Sequence, residues 1–410
     1  MLRELEKAMY DKIKQNIIVP GYGPSVSPLM IVAEAPGESE ESYKIPLIGP
    51  TGEEVKQLAS EVGFELDNCY RTNVVKVRPP ENKLFRLKEL GLSINDFLPQ
   101  LWNEINAVKP NAILALGETA LNALTGKKKI SNWRGSILES LQGYPKIIPT
   151  YHPAAYLNRR GEGSLPYGAR AYITNDFKRA FDESKTKLRN LPDRNLQIAK
   201  NSTDLYNFIY HWTKIEKRTT CAIDIEVIRS IPTCISIAFS PKHSISVPLI
   251  NLQSIKGATF TPQQELAQMW LMVGELLDDK SILVIGQNIK FDRQKLNFLG
   301  LPIANIYADT NAAASLIYPE FPKSLEFSTS IYTREPFYKN EYREWDIKKD
   351  SYDKVLLYNA KDSAVTLEIW EQQKIELEEL GLIDFFFSYT MQLHHFYMSL
   401  ERTGIRVNEQ

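Results

Sequence analysis

The sequence predicts two α/β domains in series, and three observations carry that expectation. At 410 residues the chain exceeds what one ordinary hydrophobic core organises, so two domains are the natural division. Through the first half, apolar runs of strand length alternate with helical stretches, the pattern of a mostly parallel sheet between helices, an α/β sandwich. A polar stretch at 183–194, containing KTKLRNLPDR, then interrupts the pattern before a second series of strands and helices. The expected division is a first domain at 1–188 with an N-terminal helix and a connector at 189–195. A second domain follows at 196–384, and 385–410 begin a further region.

Composition sets bounds on function. Hydrophobic residues make up 43% and charged ones 24%, as in soluble globular proteins. Lysine and arginine number 49 against 50 acidic residues, which excludes an overall basic field. Between 124 and 190 the balance is 13 basic to 5 acidic, a net of +8, including Lys127, Lys128, Lys129 and the pair Arg159 and Arg160. Such a run can track phosphates, but a solvated face is the preferred reading. Cys69, Cys221 and Cys234 form no metal-ligand pattern and suit reduced thiols in a cytoplasmic setting. The charged, amphipathic MLRELEKAMYDKIKQNI is unlike a signal peptide. No apolar run approaches the roughly 20 residues that span a bilayer, so no membrane role is expected.

In the first domain a strand at 29–32 runs into the loop AEAPGESE, followed by a helix at 51–62. A strand at 70–75, a helix near 96–108, a strand at 112–116, a helix from Gly117 to about 124 and a strand at 146–149 complete it. In such folds the chemistry sits in loops at strand ends. Glu34 follows the first strand, Asn73 lies in NVVKVRPPEN, and His152 in YHPAAYL follows the strand at 146–149. A carboxylate, an amide and a histidine on one rim can break a bond to a flat heterocycle. The amide reads the base edge, the histidine stabilises developing negative charge, and the carboxylate orients water or steadies a cationic sugar. Singly, each residue is more simply structural: Glu34 a helix cap, Asn73 a turn, His152 a helix start.

As an ordered set, EAPGE, PLIGPTG, NVVKVRPPEN, LALGETAL, WRGS and YHPAAYL resemble the uracil-DNA glycosylase superfamily, most closely family 4. The resemblance covers about 28–180 and implies a three-layer α/β/α sandwich, flipping of a base into a pocket and hydrolysis of its glycosidic bond. It implies Glu34, Asn73 and His152 as site residues, with Leu47 and Arg78 at the substrate. The sequence departs from the family at several positions. Val77, and by position Phe97, stand where two of four cluster-binding cysteines are usual, and the N-terminal CxxC is missing, so no iron–sulfur cluster is expected. Leu47 replaces the phenylalanine that stacks on the base, and Ala33 a glycine. These departures lean towards altered specificity or a DNA- or partner-holding module, with an active glycosylase as the alternative.

The second domain opens with a strand at 219–227, rich in β-branched and apolar residues, on which Asp224 and Glu226 point to one face. An apolar run at 281–286 reads as a buried strand, and the helix after it carries Asn288 and Asp292 four apart on one side. A helix from 353 to 380 repeats that spacing with Tyr358 and Asp362. Asp224, Glu226, Asp292 and Asp362 form an all-oxygen ligand set suited to two Mg²⁺ or Mn²⁺ ions about 3.5–4 Å apart, and Tyr358 can orient the attacking water. Any one of these acids alone is more often solvated, yet burial of Asp224 and Glu226 in an apolar strand needs compensation.

AIDIE, NIKFD and YNAKD, in that order, resemble the tyrosine subtype of the 3′–5′ proofreading exonuclease of family A DNA polymerases. That resemblance implies a ribonuclease H-like fold with a mixed sheet, cleavage at single-stranded 3′ ends of DNA, contact with a primer-template and Asn288 at the substrate. Asp309 in YADT matches a family position where a structural role is expected rather than ligation. MSLERTGIRVN resembles the passage from exonuclease into polymerase. The expectation is therefore the N-terminal part of a bacteriophage-type polymerase, lacking its C-terminal polymerase domain, in the cytoplasm of an infected bacterium. His394 and His395 read as ordinary helix positions.

Overall fold

A computed structural model describes residues 16–157, 165–166, 168–250, 261–346, 349–404 and 406. The expected N-terminal helix falls on residues 1–15, and Arg159 and Arg160 on 158–164, all outside the described residues. The chain divides into two compact units, Met1–Leu191 and Pro192–Gln410.

In the first unit β1 (Leu29–Ala33), β2 (Tyr70–Asn73), β3 (Ala112–Leu116), β4 (Leu138–Glu139) and β5 (Lys146–Thr150) form one sheet in the order β2-β1-β3-β5-β4. The ladders joining β2, β1, β3 and β5 are parallel, and the two-residue β4 runs antiparallel to β5. Every residue of β1, β3 and β5 is buried. A parallel sheet covered on both faces needs apolar side chains at successive positions, hence unbroken runs such as LMIVA and AILAL. Met30, Val32, Ile113, Ala115 and Ile147 cluster with Leu101 and Ile105 of the helix Leu98–Val108 and Leu121 and Leu124 of the helix Glu118–Thr125. The helix Ala169–Ser184 also packs on β1, β3 and β5, with Pro50–Glu61 against it. This is the expected sandwich.

The basic run is divided: Arg134 and Lys146 are internal, whereas Lys128, Lys129, Lys178, Lys185, Lys187 and Arg189 are exposed. Arg134 pairs with Asp176 and Lys146 with Glu183, all four buried, while Arg170 bonds Glu54 and Glu61. Lys127 lies over the Trp133 ring at 3.9 Å. Acidic partners distant in sequence neutralise Arg134, Lys146 and Arg170, while the exposed members of the run form a solvated face.

In the second unit β6 (Asn195–Ile198), β7 (Thr220–Ile228), β8 (Ile231–Ser240), β9 (His243–Pro248), β10 (Leu283–Gly286) and β11 (Ile306–Asp309) form a mixed sheet in the order β11-β10-β7-β8-β9-β6. The long helix Asp353–Glu379 lies over β6, β7, β8 and β9 and adds Ala364, Leu367, Trp370 and Leu377 to the core. Arg194, placed by its polarity in the expected connector, is buried and held by Glu335, Glu368 and the Pro241 carbonyl. Beyond residue 385, Phe386, Met391 and Met398 join the same core. Among the described residues no helix is long and apolar enough to cross a membrane.

Candidate active sites

In the second unit β7 lies between β10 and β8, so Asp224 and Glu226 sit near the middle of the sheet. Asp362, on the helix Asp353–Glu379, brings one carboxylate oxygen within 4.8 Å of one from each of them. Asn359, one turn earlier, is fully buried and aims its Nδ2 at Asp224 Oδ2 (2.8 Å) and at the Asp224 carbonyl (3.1 Å). Hydroxyls of Ser236, Ser244 and Ser246 bond this helix turn to β8 and β9, fixing the distance between helix and strand acids. A register shift between Glu226 and Val227 in the β7–β8 ladder ends the regular pairing beside the cluster, where bulges re-aim side chains.

Asp292 stands apart from this triad: its Oδ1 accepts the Ile225 N–H at 3.1 Å. It is buried and bound to the strand between the two β7 acids. Asn288 corrects the sequence expectation more fully. It precedes the helix Ile289–Phe298, at φ 55°, and its side chain is exposed rather than sharing a helical face with Asp292. Asparagine tolerates that left-handed backbone. Asp309 is structural, as expected. It accepts the N–H groups of Asn288 (2.9 Å), Ile289 (3.0 Å) and Asn311 (2.8 Å) and lies 2.9 Å from His394 Nε2. His394 is thus a partner of the site's scaffold, a role not legible in the sequence.

Three further residues went unseen in the sequence. Tyr338 Oη donates to Asp362 Oδ1 and Lys339 Nζ to Oδ2, each at 2.5 Å. Lys339 also donates to Tyr358 Oη at 2.6 Å, and Tyr342 stacks on Tyr358 with centroids 5.3 Å apart. PFYKNEY sits in an irregular segment with no periodicity to mark it, and its aromatic density was the available signal.

Burial and mutual repulsion dominate the electrostatics. Burial, then the charges of Asp362, Glu226 and Asp292, hold the Asp224 carboxyl well above the usual range. Burial and Asp362 push Glu226 up to about 8, and burial pushes Asp292 up to about 7. In the absence of metal these acids keep their protons in the folded state where the unfolded chain has released them, so stability falls as pH rises. In EDTA the melting temperature of the second unit is expected to drop between about pH 4 and pH 8, and Mn²⁺ restores it by binding the folded form. Melting curves across that window check this; a melting temperature that climbs with pH in EDTA contradicts it. The all-oxygen donor set fits Mg²⁺ or Mn²⁺.

In the first unit the candidate residues lie at the carboxyl ends of parallel strands, β1 and β2 being neighbours and β5 separated from β1 by β3. Glu34 follows β1 and its Oε2 accepts the Thr119 hydroxyl at 2.5 Å. Asn73 ends β2, and the following Val74 and Val75 N–H groups bond the Ala33 and Glu34 carbonyls, holding the two loops together. Asn73 is 0% exposed, and its side chain makes no hydrogen bond of good geometry, although it lies close enough to the Glu40 carboxyl to favour that group's charged form. Beside it the buried Lys76 ammonium bonds the Asn73 carbonyl (2.7 Å), the Thr72 hydroxyl (2.5 Å) and Glu104 (2.6 Å). Gly117, at φ +88°, lets the turn after β3 approach the β5 loop: a Cβ there would lie 3.4 Å from the His152 Cβ. Burial pushes His152 down to about 4, so the ring is neutral at pH 7. Its Nδ1 accepts the Ala154 N–H at 3.4 Å, which leaves the ring proton on Nε2.

Leu47 is 5% exposed with φ 55°, a strained conformation for a leucine. Glu40, also unnoticed in the sequence, holds it by accepting the N–H groups of Leu47 and Gly37, each at 2.5 Å. Arg78 is engaged within the protein, bonding Asn82 at 2.7 Å and pairing with Glu41 and Glu38. Val77 and Phe97 are buried in one apolar cluster with Val75, Leu87 and Leu92. These residues do not fit an iron–sulfur cluster, which needs four thiolates, and apolar packing fills the place. Phe97→Ala is expected to destabilise the first unit by about 3–5 kcal/mol, read as a lowered denaturant midpoint; an unchanged midpoint contradicts a structural role for the cluster.

Comparison with known proteins finds a family match for each unit. Residues 20–181 match the model of the uracil DNA glycosylase superfamily, and residues 196–378 that of a 3′–5′ exonuclease. The type-4 uracil-DNA glycosylase of Pyrobaculum aerophilum is 34% identical over 172 residues, covering 40% of this chain and 85% of that protein. For the Thermotoga maritima type-4 glycosylase the identity is 35% over 149 residues, covering 36% and 74%. A DNA polymerase of Bacillus phage SP01 is 25% identical over 297 residues, 66% of this chain and 30% of the polymerase, so the chain spans less than a third of that relative. By these matches the chain belongs, through residues 20–181, to the uracil-DNA glycosylase superfamily and joins that domain to a 3′–5′ exonuclease domain at residues 196–378.

Proposed function

We propose that the second unit removes nucleotides from single-stranded 3′ ends of DNA, as the proofreading part of a phage-type DNA polymerase in the bacterial cytoplasm. The observation that carries this reading is the convergence of Asp224, Glu226 and Asp362 to within one cation's reach. Asp224, Glu226 and Asp362, with Asp292, would hold two Mg²⁺ or Mn²⁺. Bound there, the pair supplies an activated water and stabilises the leaving 3′ oxygen. The protein's own share is positional. Asn359 fixes the Asp224 carboxylate, Asp309 pins the start of the helix bearing Asp292, and the Tyr358 phenol orients water. The test is degradation of 3′-labelled single-stranded DNA with and without EDTA, in the wild type and in variants of the β7 acids.

For the first unit we infer a glycosylase acting on uracil or a related pyrimidine. The fully buried Asn73 amide, whose contact with Glu40 falls short of good hydrogen-bond geometry, favours this over a purely DNA-holding role. Buried amides are nearly always hydrogen-bonded, and a pyrimidine edge offers Asn73 the donor and acceptor it lacks. Neutral His152 donates a hydrogen bond from Nε2–H to the base as negative charge develops there, and Glu34 orients water or steadies the cationic sugar. Leu47 walls the pocket without a stacking ring. Alkali-sensitive sites in uracil-containing DNA test this reading.

A further inference from the structure

Both carboxylate oxygens of Asp362 are already engaged, Oδ1 by Tyr338 and Oδ2 by Lys339. The Lys339 ammonium, only 13% exposed, is lodged between the Tyr338 and Tyr358 rings, 5.1 and 4.7 Å from their centroids. It therefore holds one of the two oxygens through which Asp362 could reach a cation, the other being held by the neutral Tyr338 hydroxyl. A carboxylate oxygen has lone pairs for two partners, but a divalent cation and an ammonium sharing it would repel strongly in a site so shielded from water. Lysine can yield: its charge rides on a flexible four-carbon stem. There is also somewhere to go. A cavity of about 270 Å³ adjoins Lys339 and Tyr358, bounded by Ser324, Glu326, Tyr342 and Arg343. The Glu326 carboxylate there already pairs with Arg343 through Oε2 at 2.7 Å, so a displaced ammonium would share it.

We propose that Lys339 is an internal competitor for metal at Asp362: ammonium and divalent cation exclude one another from Oδ2, and metal entry moves Lys339 into the adjoining cavity. Lys339 thereby sets the metal concentration at which the site assembles. While it holds Oδ2 it keeps the acidic cluster partly neutralised and ties down the Tyr358 hydroxyl. Once it leaves, Tyr358 is released to face water at the same step that completes the cluster. This inference rests on the two-metal reading of the acids.

Mn²⁺ binding to the full chain, followed by calorimetry or by the electron paramagnetic resonance signal of free Mn²⁺, tests it. The Asp224→Ala, Glu226→Ala variant identifies the signal of this site. Lys339→Met is expected to lower the Mn²⁺ midpoint about tenfold, the worth of one charge-assisted hydrogen bond no longer in competition. Lys339→Arg, which keeps the charge, is expected to stay near the wild-type midpoint. The Mn²⁺-induced rise in melting temperature should be larger in Lys339→Met than in the wild type, a readout independent of catalysis. If circular dichroism shows Lys339→Met unfolded, Lys339→Gln carries the same comparison. An unchanged midpoint in a folded neutral variant, or an equal drop in Lys339→Arg, overturns the competition and leaves the two-metal reading standing. A wild-type chain that binds no Mn²⁺ overturns both.

Discussion

Combining Asp224→Ala with Glu226→Ala is expected to lower 3′-end degradation of single-stranded DNA by about 10³-fold or more. The magnitude follows from removing two anionic ligands from a site whose bound cations contribute several kcal/mol to the transition state, with each 1.36 kcal/mol worth about tenfold. Loss of fold will not explain the result. Without metal, burial and then the neighbouring carboxylates disfavour ionisation of Asp224 and Glu226, so removing them relieves that cost. In EDTA the variant is expected to melt at or above the wild-type temperature. Asn359 keeps the Asp224 main-chain carbonyl as a partner, because that bond does not use the side chain. Undiminished degradation by a folded double variant would reject the assignment of the nuclease site.

The second large effect is expected in that same nuclease-silent background. Uracil-containing single-stranded DNA incubated with the protein and then treated with alkali should break at uracil, and His152→Ala should reduce that breakage about 10²–10³-fold, the usual worth of one preorganised donor. A neutral imidazole suits the task. It is charge-neutral before the base departs, and its Nε2 proton meets the negative charge only as that charge forms. Asn73→Ala should weaken cleavage while easing the free protein, since it removes two buried polar atoms that lack a hydrogen bond of good geometry. Leu47→Phe is expected to increase cleavage, because a ring beside the flipped base adds stacking worth about 1–3 kcal/mol. The glycosylase reading is abandoned if no alkali-labile sites form with uracil or its 5-substituted analogues while DNA binding persists. That outcome leaves a DNA-holding module.

Much of this was legible along the chain, for local reasons. Asp224 and Glu226 were assigned to one face because strand periodicity is two and their neighbours are β-branched. Tyr358 and Asp362 were paired because a long helix repeats every four residues. Glu34 and His152 read as strand-end residues because apolar runs precede them and turn residues follow, whereas Asn73, expected inside a strand at 70–75, ends that strand. Asn288 failed on a local point: the helix starts one residue later, with Asp309 at its first N–H groups. Arg78, expected at the substrate, meets Glu38 and Glu41 of the neighbouring helix in the free protein, partners the sequence did not indicate.

The sequence by itself determined the two α/β domains, the order of the acids and the types of side chain brought to each strand end. Each of these depends on residues within a turn or a strand of one another. Only the tertiary structure decided what those side chains meet. Asn359 reaches Asp224 across 135 residues and Lys339 reaches Asp362 across 23, while Asp292 is drawn to a main-chain N–H and Asn73 is left without a hydrogen bond of good geometry. Contacts of that kind are settled when helix packs on sheet, where burial removes water as the alternative partner and makes every pairing, or missing pairing, count.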